Sequence, residues 1–257
     1  MLEKHKTVTV TTKSRPVRKA INAVHRLMFF AFRAKQYRVN SNETFFTAQL
    51  NNKIACNLEG CLYLIKKHLL AESLILLRST YESVILLCLF VNEPTERVTE
   101  YKEKAYITAK NNMTKFVNAG LIDVNDPLYQ ELLTKTRGLS ASPQMPRIED
   151  HIRDLKNRYS EVFNSQEFQG SDFSLYCLAS QLSHNNPLQL GDYYATVILP
   201  PFNLKQQLNS IILLIVLTVF ALKKEGVQFN QNYDAVLNNS RDLVRKLTWT
   251  VPTLKEN

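Results

Sequence analysis

The chain has 257 residues, 45% hydrophobic and 21% charged, so it is too apolar for an intrinsically disordered protein and long enough for a substantial core. Its six glycines and nine prolines are few for a fold with many turns, which favours long helices over a β-rich architecture. The net charge of +9 predicts contact with a polyanion or with an acidic partner.

The excess positive charge is confined to residues 1–40. This segment carries ten Lys or Arg side chains against the single acidic residue Glu3, whereas the remaining 217 residues carry 22 basic and 22 acidic side chains. On a helical wheel its basic side chains gather on one face, opposite an apolar face that begins at Val17. The predicted nucleic-acid-binding residues of this arm are Arg15, Arg18, Lys19, Arg26 and Arg33.

Start and stop signals predict an all-α bundle of seven to nine helices, the longest of them antiparallel. The predicted helices span residues 14–38, 40–68, 69–91, 94–118, 126–137, 146–159, 173–184, 204–224 and 233–247. One short extended segment is expected at 194–199. The domain division that follows is a basic arm and helix over 1–40 and a helical-bundle domain over 41–257, with a flexible connection near 138–146.

The four cysteines are predicted to be buried, reduced thiols. They contain no Cys-x-x-Cys pair, and each lies in an apolar stretch. The four residues are Cys56, Cys61, Cys88 and Cys177. Because the N-terminal sequence is charged and threonine-rich, and lacks the apolar run of a signal peptide, a cytoplasmic location is expected.

Two apolar stretches raise the question of a membrane span. Residues 69–91 are long enough to cross a bilayer but include Glu72, Arg78 and Glu82, which are costly in hydrocarbon. Residues 211–222 are almost purely apolar but number only 12, a length typical of a buried core helix. No transmembrane span is therefore predicted.

The first candidate site lies in the helix predicted at 69–91, which reads Leu-Leu-Arg-Ser-Thr-Tyr-Glu from Leu76. Arg78 and Glu82 are four residues apart, so their side chains stack on one face. The wheel places them beside leucine and isoleucine, where a charged pair must be hydrogen-bonded to avoid a cost of several kcal/mol. The pair is either a structural link between two helices or a guanidinium presented to an anion and oriented by Glu82.

The second candidate site is the run Tyr176-x-x-x-Ser180-x-x-x-His184, whose spacing puts all three side chains on one helical face. His184 is predicted at the C-terminus of its helix, where the helix dipole favours the imidazolium. A histidine with a hydroxyl one turn away is a candidate general acid or base. A histidine at a helix end can equally act as a capping group.

Together the Leu-Leu-Arg-x-x-x-Glu and Tyr-x-x-x-Ser-x-x-x-His runs resemble a group of bacterial all-helical domains of unknown function, over about residues 40–225. More distantly the chain resembles the HEPN helical-bundle proteins of toxin and phage-defence systems. The resemblance to the domains of unknown function implies that Arg78, Glu82, Tyr176, Ser180 and His184 are the recurrent polar positions, and these are the predicted catalytic residues. The HEPN resemblance implies the chemistry, that of a metal-independent ribonuclease. The contiguous Arg-x(4–6)-His motif of many HEPN ribonucleases has one match, Arg18-x(6)-His25, in which Lys19 replaces the usual polar residue.

The remaining sequence signals exclude several other chemistries. There is no glycine-rich phosphate loop, no Gly-x-Ser-x-Gly elbow and no His-Glu-x-x-His motif, so neither a cofactor nor a metal is expected. The expected partner is RNA or another polyanion at the N-terminal arm, with a homodimer or a partner protein also possible. The alternatives are a non-enzymatic module that binds nucleic acid, nucleotide or protein, and a helix that lays Phe29, Phe30 and Phe32 on an anionic membrane.

Overall fold

The computed structural model describes residues 15–32, 42–139, 148–163, 176 and 200–247. Within these ranges all regular structure is helical and no strand occurs, which confirms the all-α prediction of seven to nine helices. The helices are α1 Arg15–Phe32, α2 Asn42–Lys66, α3 Leu70–Asn92, α4 Pro94–Asn118, α5 Pro127–Lys135, α6 Ile148–Arg158, α7 Ser160–Phe163, α8 Pro200–Lys224 and α9 Tyr233–Arg245. The expected extended segment at 194–199 and most of the connection at 138–146 lie outside the described residues, and the division at residue 40 stays a prediction.

Local sequence signals explain where several of these helices begin and end. Proline occupies the first position of α4 and of α5, where its missing N–H costs nothing. The Asp126 carboxylate caps α5 by accepting hydrogen bonds from the backbone N–H groups of Leu128 (2.9 Å) and Tyr129 (3.1 Å). Helix α4 ends at a left-handed glycine, Gly120, with φ +69°.

Helices α2, α3 and α8 form the centre of the core. The turn between α2 and α3 contains His68, a non-glycine residue with φ +66°. The two helices lie so close together that a Cβ on Gly60 would be 2.6 Å from Leu76 Cδ2. Helices α3 and α8 run parallel, since Gln207 Nε2 donates to the Leu70 carbonyl near their N-terminal ends at 3.0 Å. Near their C-terminal ends Lys224 Nζ lies 3.4 Å from Asn92 Oδ1.

Helix α1 packs its apolar face on this centre and on α9. The residues predicted to face inward are buried, and they are Val17, Ala20, Val24, Leu27 and Ala31. A hydroxyl from α9 reinforces the contact, because Ser240 Oγ lies 3.0 Å from the Ala23 carbonyl. The amphipathic orientation predicted for α1 is therefore confirmed within residues 15–32.

By length and composition alone, two helical stretches could cross a membrane: Glu72–Asn92 and Leu204–Lys224. Their apolar windows are 61% and 72% buried inside the protein, and both helices contribute to the same hydrophobic core. A buried core helix passes this test as readily as a membrane span, so the absence of a span stays a prediction.

Two of the cysteine thiols lie in the core as predicted, and one does not. Cys61 and Cys88 are buried and free, whereas Cys56 is exposed, so the prediction of burial is wrong for that residue. Cys56 lies on the outer face of α2, where its neighbours Asn52, Lys53 and Glu59 also meet solvent. Cys177 lies outside the described residues.

The buried thiols predict a loss of stability at alkaline pH. Burial raises the pKa of both Cys61 and Cys88 from 9.0 to about 12. The unfolded chain therefore releases these protons first, so the contribution of the thiols to the free energy of unfolding should be constant below about pH 8 and then fall by roughly 1 kcal/mol per pH unit for each thiol. Urea unfolding between pH 7 and pH 11 measures this slope.

The control is a comparison of two cysteine variants. Cys88→Ala should make the alkaline slope shallower, whereas Cys56→Ser should leave it unchanged, because the Cys56 thiol is exposed. A free energy of unfolding that stays flat to pH 11 in the wild-type protein contradicts the burial of these thiols.

Candidate functional site

The structure pairs Arg78 with Glu82 on α3. Arg78 Nε donates to Glu82 Oε1 at 3.1 Å, the contact predicted from their spacing of four residues. Both groups belong to the same helix, α3.

Tyr176 meets this pair from a segment more than ninety residues later in the chain. Its hydroxyl donates to Glu82 Oε1 at 3.4 Å, and Arg78 Cζ lies 6.0 Å from the centroid of its ring. The ring of Tyr81 packs edge-on against it at 6.1 Å. Three of the five predicted catalytic residues therefore come together, and Ser180 and His184 lie outside the described residues.

The Arg78–Glu82 pair lies in a more open setting than the helical wheel indicated. The Arg78 side chain is 22% exposed and that of Glu82 39%. Neighbouring Ile85 is buried as expected, but Ile75 is half exposed, so the pair occupies the boundary between core and solvent. A boundary position keeps both charges partly hydrated, which lowers the cost of placing them on an otherwise apolar helix.

Three of the four serine and threonine residues of α3 face the core instead. Ser73, Thr80 and Ser83 are buried. Thr80 Oγ1 donates to the Leu76 carbonyl at 2.9 Å, and Ser83 Oγ donates to the Ser79 carbonyl at 2.8 Å. A short hydroxyl that bonds to its own helix can be buried cheaply, whereas a guanidinium or a carboxylate cannot.

The environment of Tyr176 keeps its phenol protonated. Burial, followed by the negative charge of Glu82, raises the pKa of Tyr176 above its ordinary value, and nearby Arg78 only partly offsets the effect. The hydroxyl therefore remains a hydrogen-bond donor throughout the neutral range. The cluster offers a partly exposed guanidinium held by a carboxylate, with an uncharged donor beside it, an arrangement that can receive an anionic oxygen.

A second candidate site is the solvent face of α1. Four of the five predicted nucleic-acid-binding residues are exposed there, namely Arg15, Arg18, Lys19 and Arg26, while Arg33 lies outside the described residues. The face carries no acidic residue, and Arg26 Cζ lies 5.7 Å from the centroid of the Phe30 ring. Its charges are therefore unopposed within the helix and available to a polyanion.

The contiguous Arg18-x(6)-His25 match also lies on this solvent face, since both residues are exposed. Seven residues correspond to about two helical turns, so the two side chains project from the same side of α1. The cluster of Arg78, Glu82 and Tyr176, by contrast, is centred on α3. Among the described residues, α1 does not pack extensively on α3. The two candidate sites are thus built on separate helices.

Sequence analysis missed an ion-pair network at the α3–α4 corner. The Glu93 carboxylate accepts hydrogen bonds from Arg97 (2.9 Å) and from Arg158 of α6 (2.8 Å). Partial burial works against ionisation, but the hydrogen bonds and charges of the two arginines hold the pKa of Glu93 below its ordinary value. The spacing Glu93–Arg97 was visible in the sequence; the link to Arg158 was not. The network fastens α6 to the corner and fits a structural role.

No cluster of three or more His, Cys, Asp or Glu side chains suited to a metal ion occurs in the described part of the chain. No protein-family model, curated protein or solved structure matches the chain significantly. A function must therefore be argued from the chemistry of the two candidate sites.

Proposed function

We propose that this protein is a HEPN-like, phage-defence or toxin-type ribonuclease that cleaves RNA phosphodiesters without a metal ion in the cytoplasm. The observation that carries the proposal is the convergence of Arg78 and Tyr176 on the Glu82 carboxylate at a partly exposed position. These residues come from distant parts of the chain and belong to the set that the resemblance to the helical domains of unknown function implied.

The proposed chemistry is transesterification within the RNA strand. The 2′-oxygen attacks the adjacent phosphorus, the bond from phosphorus to the 5′-oxygen breaks, and the products are a 2′,3′-cyclic phosphate and a free 5′-hydroxyl. Arg78 stabilises the negative charge that develops on the phosphoryl oxygens. His184 moves the proton from the 2′-hydroxyl towards the leaving oxygen, and Tyr176 and Ser180 position the substrate.

In this proposal the α1 face holds the strand. Exposed arginine and lysine side chains bind phosphates regardless of base sequence, and the bound counterions that they displace make such binding weaken steeply with salt. A homodimer or a protein partner is compatible with the proposal.

The second candidate function is a non-enzymatic module that binds nucleic acid, nucleotide or protein. Its support is that Glu82 Oε1 already accepts hydrogen bonds from both Arg78 and Tyr176, an arrangement that also suits a structural link between α3 and the segment around residue 176. In that case α1 binds the polyanion and no bond is broken.

The test is incubation of the purified protein with an RNA and with a DNA of the same sequence, each with and without a chelator. The proposal predicts cleavage of RNA alone, unaffected by the chelator, with cyclic phosphate ends, because DNA lacks the 2′-hydroxyl. Equal cleavage of DNA, or cleavage that the chelator stops, contradicts the mechanism. Binding of RNA without cleavage favours the non-enzymatic module.

A further inference from the structure

Three polar side-chain atoms on α3 and α8 are buried without a close polar partner. Ser73 Oγ, Gln207 Oε1 and Ser210 Oγ belong to residues with no exposed surface. None of the three has an oxygen or nitrogen hydrogen-bond partner among the described residues. The Ser73 hydroxyl does lie near the Cys61 thiol, but sulfur is a weak partner.

Helix geometry puts the residues that carry these atoms at about one level of α3 and α8. Gln207 Nε2 donates to the Leu70 carbonyl at 3.0 Å, which fixes the register of the two parallel helices at this level. Ser73 lies three residues after Leu70 in α3, and Ser210 lies three residues after Gln207 in α8. Three residues are about one helical turn, so in two parallel helices both serines lie at about the same level. Helix α2 lines the third side, because Cys61 Sγ lies 3.5 Å from the Ser73 carbonyl.

These atoms differ from the other buried hydroxyls of the same helices. Thr80 and Ser83 of α3 and Thr218 of α8 all return their hydrogen bonds to a carbonyl four residues earlier. Ser73 and Ser210 do not, although the same partner is available in any helix. Buried polar atoms without partners are rare in folded proteins, and three at one level indicate that something polar lies between them.

We propose that the α3–α8 interface holds one buried water molecule. The water donates a hydrogen bond to Gln207 Oε1, which can only accept, and exchanges hydrogen bonds with the hydroxyls of Ser73 and Ser210. Three bonds are typical of a buried water. Leu74, Leu77 and Ile211, which follow Ser73 and Ser210 along the two helices, are apolar and buried, so this level of the core suits a small uncharged molecule rather than an ion.

The test detects long-lived internal water in the full-length protein by oxygen-17 relaxation dispersion, with water-to-amide nuclear Overhauser effects to locate it. The wild-type protein should show the water contacting the backbone amides near Ser73 and Ser210. The double variant Ser73→Ala, Ser210→Ala should lose one long-lived water. The matched control Ser83→Ala, whose hydroxyl bonds within its own helix, should retain it.

A single Ser210→Ala variant serves if the double variant does not fold, since loss of one partner should shorten the residence time of the water. The proposal is overturned if the wild-type site is dry or if the water signal persists unchanged in the double variant.

Discussion

Substitution of His184 by alanine should lower the rate of RNA cleavage by about 10²- to 10⁴-fold, the usual contribution of a general acid or base. Arg78→Ala should lower it by about 10²- to 10³-fold, because the charge that develops on the phosphoryl oxygens would lose its guanidinium. Both effects should appear in kcat, since these groups act in the transition state, and single-turnover cleavage of a short RNA measures them.

The matched control for Arg78 is Arg97 of α4. Like Arg78, it pairs with a glutamate four residues away in the chain. Arg97→Ala should weaken the Glu93 network and lower the melting temperature, yet leave the rate of cleavage unchanged. If Arg78→Ala behaves as Arg97→Ala does, lowering stability with no loss of cleavage, the Arg78–Glu82–Tyr176 cluster is structural. Circular dichroism of each variant separates the two results.

Reversal of charge on α1 should abolish tight binding of RNA without affecting the fold. Arg18 and Arg26 are exposed, so the double variant Arg18→Glu, Arg26→Glu removes two positive charges that would bind phosphates and adds two that repel them. The affinity for RNA should fall by more than about tenfold at low salt. The slope of log affinity against log salt should decrease by about 2, one for each arginine replaced. Fluorescence anisotropy at several salt concentrations gives both quantities.

Lys53→Glu with Lys115→Glu is the control, because it changes the net charge equally at exposed positions on α2 and α4. It should leave the salt slope nearly unchanged. Binding to anionic vesicles tests the membrane alternative, for which the half-exposed Phe29 beside this face is the relevant side chain. Retention of RNA binding in the α1 variant contradicts the assignment of this face, and vesicle binding without RNA binding favours the membrane.

Most of the fold was predictable because its boundaries are set locally. Pro94, the Asp126–Pro127 pair and Gly120 each act within one turn of the helix that they begin or end, so the sequence alone locates α4 and α5 to within a few residues. The apolar face of α1 was likewise predictable from its period.

The packing of the helices was less predictable, because it depends on which face of each helix is buried. Helix α3 is apolar nearly all round, so its period could not show that Ser73, Thr80 and Ser83 face the core while Arg78 and Glu82 lie at its edge. Thr80 and Ser83 can be buried because the hydroxyl of each bonds to a carbonyl of its own helix, a property that a hydropathy pattern does not record.

The candidate site was predictable only in part for the same reason. A spacing of four residues brings Arg78 to Glu82 within any helix, whereas the contact of Tyr176 with Glu82 depends on the tertiary fold. The resemblance placed these residues in one set, and the described part of the chain brings three of them together. Whether Ser180 and His184 join them stays a prediction.

The proposed mechanism requires residues 78 and 184 to face one cleft that a phosphate can enter. Their proximity is measured by cross-linking the Arg78→Cys, His184→Cys variant with a short bifunctional thiol reagent, in a Cys56→Ser, Cys177→Ser background. We expect an intramolecular cross-link for this pair, suppressed by RNA, and none for the control pair Arg97→Cys, His184→Cys. Failure of residues 78 and 184 to cross-link, with both thiols reactive on their own, contradicts the proposed mechanism.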